Sequence, residues 1–268
     1  TAAFDFYKKI CYNVYRKIKG EINMSMYVCS DLHGMYDIYE QILDYIKPED
    51  KVICLGDCGD RGYKNWELIK AVYTNPQFIY LMGNHEDMLI NAMEECLAGY
   101  PFNESLELVI VNDGYDTYRG WLKETPEERK VWLDRLRTLP IHMDYFSEKN
   151  NTIWHLSHAG YTPYRKDLPI REDLIWDRNH FRDKVIVPED NGERPNEVCV
   201  HGHTPIPFVV DELHMDVPHE PTLLIYGDGH KIDIDNGSFW SGGAILLNLD
   251  TCEHIPFYDR VKGNIYGI

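Results

Sequence analysis

From Met26 onward, short apolar runs rich in β-branched residues end abruptly in clusters of Asp, Asn, His and Gly. The runs at residues 27–29, 52–55, 78–81, 152–154 and 198–200 each have the length and composition of a buried strand. Between the first three, apolar residues recur at helical spacing, first at Ile38, Ile42, Leu43 and Ile46 and then at Trp66, Leu68, Ile69 and Val72. Alternating strands and helices predict an α/β fold of layered elements. Residues 99–139 break the strand series with partly amphipathic helical sequence, in which Leu133, Leu136 and Leu139 share one side, and are expected to form an insertion beside the functional site. After His203 come short β runs at 222–226, 231–234 and 244–248 punctuated by Gly, which predict a second, more antiparallel sheet.

The first 25 residues are different in kind. Phe4, Tyr7, Cys11, Val14 and Ile18 recur at three- and four-residue spacing, with Lys8, Lys9, Arg16, Lys17 and Lys19 mostly between them. An amphipathic basic helix over 1–25 is expected, preceding one domain over 26–268. Docking on its own acidic domain is the expected role, with an acidic partner or a membrane surface as alternatives.

Composition narrows the class. The 268 residues suffice for one domain with a full core, and 44% hydrophobic with 26% charged residues is ordinary for a globular chain. No apolar run approaches the roughly 20 residues of a membrane helix. A formal net charge of -17 argues against general nucleic-acid binding, because affinity for a polyanion comes from Lys and Arg neutralising phosphates. The 7 cysteines, scattered from Cys11 to Cys252 without a signal-peptide pattern, fit free thiols in a reducing compartment and hence the cytoplasm.

The chemistry sits at the strand ends, where ligands of open α/β sheets collect. The clusters are Asp31-Leu32-His33-Gly34, GDCGDRG at 56–62, Gly83-Asn84-His85-Glu86, His158-Ala159-Gly160 and His201-Gly202-His203-Thr204. Asp31 and His33 are two apart, so in an extended strand end their side chains face the same way and can share an ion. Asp57 closes the next run and can bridge that ion to a second held by Asn84, His158 and His203. Two ions about 3.5–4 Å apart form the usual clamp for phosphoryl transfer. Each cluster alone is a weak signal: an Asp-x-His is commonly a turn, and Gly-Asn-His-Glu a helix start. Their occurrence together, in order, each after a strand, is the signal.

This set resembles the metallo-dependent, calcineurin-like phosphoesterases, and within them the phosphoprotein phosphatases of the bacterial serine/threonine branch. The resemblance runs from about Met26 to Asp250 and includes Asn112-Asp113-Gly114, the Leu139-Pro140 approach to the fourth strand, the 173–178 segment and Ile234-Asp235-Asn236-Gly237. It implies two central mixed sheets forming a sandwich flanked by helices. It implies that Asp31, His33 and a bridging Asp57 hold one metal, and that Asp57, Asn84, His158 and His203 hold the other. His85 becomes the general acid, oriented by Asp60, while Arg61 and Arg178, with Asn84, grip the phosphate. Two divalent ions outweigh Asp31, Asp57 and a bridging hydroxide by about one positive charge, and the arginines add about two. A metal-bound hydroxide attacking in line needs no Ser or Cys nucleophile. A ligand set rich in His suits manganese, with iron, zinc or cobalt as alternatives, better than calcium or magnesium.

Two residues depart from the family pattern: Ser30 stands where Gly usually precedes the first Asp, and Gly59 where an apolar β-branched residue precedes Asp60. His201 is expected to support the site rather than ligate. Cys54 and Cys58 lack the partners of a zinc or redox motif, and His142, His155, His180, His214, His219, His230 and His254 read as isolated. The expected activity is that of a serine/threonine protein phosphatase, with a phosphorylated protein or a small phosphate ester as substrate. Hydrolysis of dinucleoside polyphosphates or other phosphoanhydrides is the enzymatic alternative, and a non-catalytic pseudo-phosphatase the alternative of another class. Substrate choice is expected to lie in residues 99–150 and 206–240.

Overall fold

Strand register explains how clusters so far apart in sequence can meet. The computed structural model describes residues 24–165, 167, 169–189, 194–216, 218 and 220–261. Residues 1–23, and with them nearly all of the expected N-terminal helix, lie outside the described residues.

The first half alternates as the pattern predicts: β1 (Met26–Cys29), α1 (Tyr36–Tyr45), β2 (Lys51–Cys54), α2 (Asn65–Thr74) and β3 (Phe78–Tyr80). Strands β1, β2 and β3 pair in parallel, which the helical crossovers require. Four helices follow before the next strand: α3 (Asn84–Leu97), α4 (Glu104–Val111), α5 (Tyr115–Leu122) and α6 (Pro126–Arg137). Helix α6 starts with a capping box, Thr125 Oγ1 accepting from Glu128 N and Glu128 Oε2 from Thr125 N. These helices are stitched to α2 by an edge-to-face contact of Trp66 with Trp132 and by Glu124, which accepts from Trp66 Nε1 and Lys70 Nζ.

The second half supplies β4 (His142–Ser147), β5 (Thr152–Ser157), α7 (Arg171–Ile175), β6 (Asn196–His201), α8 (Ile206–Glu212), β7 (Leu224–Tyr226), β8 (Lys231–Asp233), α9 (Ser238–Ser241), β9 (Gly243–Asn248) and β10 (His254–Tyr258). Two mixed five-stranded sheets result, β10-β9-β1-β2-β3 and β4-β5-β6-β8-β7. The expectation that the β runs after His203 build a sheet of their own is therefore corrected. Strands β7 and β8 extend the sheet begun by β4, β5 and β6, while β9 returns to pair antiparallel with β1. All six residues of β9 are buried, because the helices cover one of its faces, with Ala244 and Leu246, and the second sheet the other, with Ile245 and Leu247.

Between the sheets lies a core of Val28, Ile53, Leu55, Leu81, Ile245 and Leu247 against Tyr145, Trp154, Leu156, Val198, Val200 and Ile232. A larger core joins the outer face of the first sheet to α1, α2 and α3 through Val52, Ile38, Ile42, Leu68, Val72 and Met88. With both faces of the first sheet covered, its central strands read as continuous apolar runs. The parallel strands β1, β2 and β3 of one sheet and β5 and β6 of the other all end at one rim.

Candidate metal centre

At that rim the chain leaves regular geometry. Asp31, His33, Asp57, Asp60, Arg61 and His203 all have left-handed backbone, with φ between 40° at His33 and 68° at Asp60 and His203. Asp31 and His33 thus lie past the end of β1, and the same-side argument from an extended strand does not apply to them. They converge because the two strand-end loops keep pairing beyond the strands: Asp31 N donates to Gly56 O at 3.2 Å, His33 N to Asp57 O at 2.9 Å and Gly34 N to Cys58 O at 2.7 Å. Close approach explains a glycine here, since a Cβ on Gly202 would stand 2.0 Å from Asp31 Oδ2.

Three buried imidazoles are fixed by backbone carbonyls. His33 Nδ1 is 2.9 Å from Gly59 O, His158 Nδ1 3.1 Å from Leu55 O and His203 Nε2 3.2 Å from Trp176 O. A carbonyl only accepts, so each of these nitrogens carries a proton and the opposite nitrogen of each ring faces the centre. There His158 Nε2 and His203 Nδ1 lie 3.1 Å apart, at 2.9 Å and 2.8 Å from Asn84 Oδ1. Asp57 Oδ2 is 3.4 Å from His158 Nε2 and 3.8 Å from His33 Nε2, which is itself 3.9 Å from Asp31 Oδ1. Donor atoms crowded this closely need a proton or a cation among them.

The electrostatics ask for the same charge. Burial opposes ionisation of His158, yet Asp57 and Asp31 draw its pKa up to about 9. Burial likewise opposes ionisation of Asp57, but His158 and His85 hold its carboxyl well below the usual range. His33 and His203 are held well below ordinary imidazole values, by burial first and then by the neighbouring Arg61 and His158 respectively, so their lone pairs stay available. Ligating groups cluster as Asp31, Asp57 and His158 and as His33, Asp57 and His85, with Asp57 common to both. A donor set of oxygen and imidazole nitrogen around a shared carboxylate fits a pair of divalent ions.

His85 opens α3, where its N–H donates to Asp57 Oδ1 at 3.0 Å. Its Nδ1 meets Asp60 Oδ2 at 2.5 Å, and its Nε2 accepts from Arg61 Nη2 at 2.8 Å. Burial disfavours the charged ring, but Asp57 and Asp60 raise its pKa above the ordinary value. Arg61 also donates to His33 Nε2 at 2.9 Å, stacked over Phe239 with its guanidinium 5.2 Å from the ring centroid. One lone pair cannot serve both Arg61 and a metal, so loading the centre requires Arg61 to release His33. Arg178 is held on the other side, donating to His203 O at 2.8 Å and Thr204 Oγ1 at 3.1 Å.

The departures acquire local reasons. Ser30 Oγ donates to Asp31 Oδ2 at 2.5 Å, completing its partners with His203 N. A Cβ on Gly59 would meet Ile69 Cδ1 at 2.8 Å and Thr117 Cγ2 at 3.1 Å, leaving no room for a branched side chain. His201 faces away, with Nδ1 on Gly202 O and Nε2 on Tyr226 Oη. Thr117 escaped the sequence reading, and Glu86 does more than open a helix. Thr117 donates to Asp60 Oδ1 and accepts from Asp60 N at 2.9 Å, orienting the partner of His85 from α5. Glu86 collects Asp57 N, Cys58 N, Gly83 N and Tyr80 Oη within 3.1 Å, locking the β2 loop onto the start of α3. The Gly-Asn-His-Glu run could have flagged Glu86 as a cap; nothing local marks Thr117.

A family model described as calcineurin-like phosphoesterase matches residues 24–232. The chain belongs to that family. Across its length this phosphoesterase is similar to serine/threonine-protein phosphatase 2 of Salmonella typhimurium, with 27% identity over 244 residues that cover 88% of this chain and 97% of the relative. It is also 27% identical over 146 residues to a symmetrical bis(5'-nucleosyl)-tetraphosphatase of Actinobacillus succinogenes, covering 52% of this chain and 46% of that one. Among solved structures, a cold-active protein-tyrosine phosphatase of a Shewanella species superposes with a TM-score of 0.51 at 16% identity, covering 90% of this chain and 82% of that one. A metallophosphoesterase from Sphaerobacter thermophilus gives 0.50 at 16% identity, covering 91% and 94%. These two structures show the shared fold of the phosphoesterase. Among the described residues no helix is long and apolar enough to cross a membrane.

Proposed function

We propose that this phosphoesterase is a serine/threonine protein phosphatase with a manganese-class dinuclear centre. Asp31, His33 and Asp57 would hold one ion, and Asp57, Asn84, His158 and His203 the other; iron, zinc or cobalt are the alternatives to manganese. The ions supply an activated water and neutralise charge on the phosphate. The chain's own residues do the rest. Arg61 and Arg178, flanking the convergent ligands from two sides, bind phosphate oxygens through their planar donors, together with the Asn84 amide. His85 delivers a proton from Nε2 to the leaving alkoxide, and Asp60 stabilises the ring through Nδ1. Thr117 keeps Asp60 aimed at His85.

The observation that carries this reading is the His85–Asp60 pair at 2.5 Å beside His158 and His203, whose inner nitrogens stand 2.9 Å and 2.8 Å from Asn84 Oδ1. A protonated leaving group matters for esters of poor leaving groups such as serine, which favours the phosphoprotein reading, as does the near full-length similarity to a serine/threonine-protein phosphatase. Hydrolysis of dinucleoside polyphosphates is the second reading, supported by the similarity to the tetraphosphatase over half of the chain. We further place residues 99–139 as an insertion that walls the substrate site, a role supported by Thr117 reaching Asp60 from α5. A cytoplasmic setting is part of the proposal; the six described cysteines are free, with Cys54 and Cys58 sulfurs 3.3 Å apart.

The deciding experiment compares a phosphoserine peptide with a dinucleoside tetraphosphate, on chelator-stripped protein resupplied with manganese. Faster turnover of the peptide is expected. Faster anhydride cleavage would replace the leading reading with the second, and inactivity on both with every metal named would reject catalysis of either kind.

A further inference from the structure

A second His/Asp cluster lies on the outer face of the second sheet. His142 and Asp144 of β4 are two residues apart, and Asp144 is the cross-strand partner of His155 on β5. Because Tyr145, Trp154 and Leu156 point between the sheets, these three occupy the opposite, outer face. Both imidazoles approach one oxygen: Asp144 Oδ1 is 2.7 Å from His155 Nδ1 and 3.0 Å from His142 Nε2. His155 is gripped from behind, its Nε2 standing 3.1 Å from Glu197 Oε2 on the neighbouring β6. The Tyr161 ring covers the pair, with centroids 5.9 Å from His142 and 5.4 Å from His155.

We infer that His142 Nε2, Asp144 Oδ1 and His155 Nδ1 form a separate site for a zinc-class divalent ion, with Glu197 orienting His155. Two imidazole nitrogens and one carboxylate oxygen are a zinc donor set. With bonds of about 2.0–2.1 Å, tetrahedral ligand atoms stand about 3.3 Å apart, so the 3.0 Å and 2.7 Å separations would open by about 0.3 and 0.6 Å, and all three ligand atoms already lie within 4.8 Å of one another. Glu197 accepts the Nε2 proton of His155 and turns the Nδ1 lone pair to the ion, the arrangement by which carboxylates support metal-bound histidines. The second proton of a charged His155 leaves to solvent as the ion arrives.

A plain ion pair explains only part of this geometry. It accounts for His155 between two carboxylates, but His142 Nε2 is buried and, though 3.0 Å from Asp144 Oδ1, completes no hydrogen bond. An ion gives that nitrogen a partner. The His142 and Asp144 side chains are 29% and 34% exposed, which leaves an entry path and room for a water as fourth ligand. Such an ion would tie β4 to β5, and through Glu197 to β6.

The test uses the full chain with the rim centre disabled by Asp57→Asn and His158→Ala, so that its outcome is independent of the proposed catalysis. Zinc titration by calorimetry and cobalt absorption in the visible are the readouts. We expect about one equivalent of zinc and a tetrahedral cobalt spectrum, both abolished by adding His142→Ala. Glu197→Gln should weaken zinc affinity by about 10–100-fold. The wild-type chain, which folds without these changes, should bind one equivalent more than its His142→Ala variant. Equal stoichiometry of that pair, or binding that survives His142→Ala, would overturn the site.

Discussion

The two His/Asp clusters of this chain are built by opposite means. His142, Asp144 and His155 meet on regular strands, through the two-residue alternation of β4 and one step of antiparallel register. The rim centre draws residues from the ends of five strands in two sheets, and six of its candidate residues sit in left-handed backbone. Adjacent strands bring side chains together without strain. A point shared by two sheets is reached only by loops, and each strained position costs on the order of 1–3 kcal/mol that the surrounding packing must offset. The rim is therefore held heavily, by Glu86, Ser30, Thr117 and the continued loop pairing, whereas among the described residues Glu197 and Tyr161 support the outer cluster.

The sharpest break in the comparison is Asp57→Asn, which removes the carboxylate common to both ligand groups. Metal binding at the rim and turnover should fall together, turnover by about 10³-fold or more; normal kcat with full metal content would remove Asp57 from the bridging role. Next comes His85→Asn, expected to keep its metals and lose about 10²–10⁴ in kcat on a phosphoserine peptide, but far less on p-nitrophenyl phosphate, whose leaving group needs no acid. Equal losses on the two substrates would reject the proton-donor assignment.

Gly202→Ala probes the strain directly, because its Cβ would fall on Asp31 Oδ2 at 2.0 Å. A loss of about 1–3 kcal/mol is expected, read as a fall in melting temperature with metal affinity lowered in parallel; an unchanged melting point would show that the loops yield easily. Smallest is the effect of His142→Ala on catalysis. His142 is the register partner of Ser157, next to His158, but its side chain lies on the outer face, so turnover should stay within about twofold while the extra zinc is lost. A large fall in kcat would mean that the two clusters are coupled along β5.

The strands were legible wherever a run was buried on both faces, as at Val52 and Ile53, because continuous apolar sequence bounded by turn residues has few other uses. Strand β4 announces itself poorly: His142, Met143 and Asp144 are only half buried at the edge of a sheet, and β10 is an edge strand too. The rim residues were readable from their order and their strand-end positions. His142 and His155 read as isolated in the sequence and are not, since their spacing of 13 positions carries no motif and the β4–β5 register makes them neighbours.

By itself the sequence determined the alternation of strands and helices, the family and the residues available for metal chemistry. Those depend on local properties: apolar periodicity, turn-forming glycines, and side chains able to donate lone pairs. Only the tertiary structure decided that β9 returns to β1 while β7 and β8 join the other sheet, which imidazole nitrogen faces inward, and that Thr117 stands behind Asp60. Sheet order, tautomer and register are set by contacts between residues distant along the chain, where burial and hydrogen-bond satisfaction across the whole core choose among arrangements that local sequence leaves equally open.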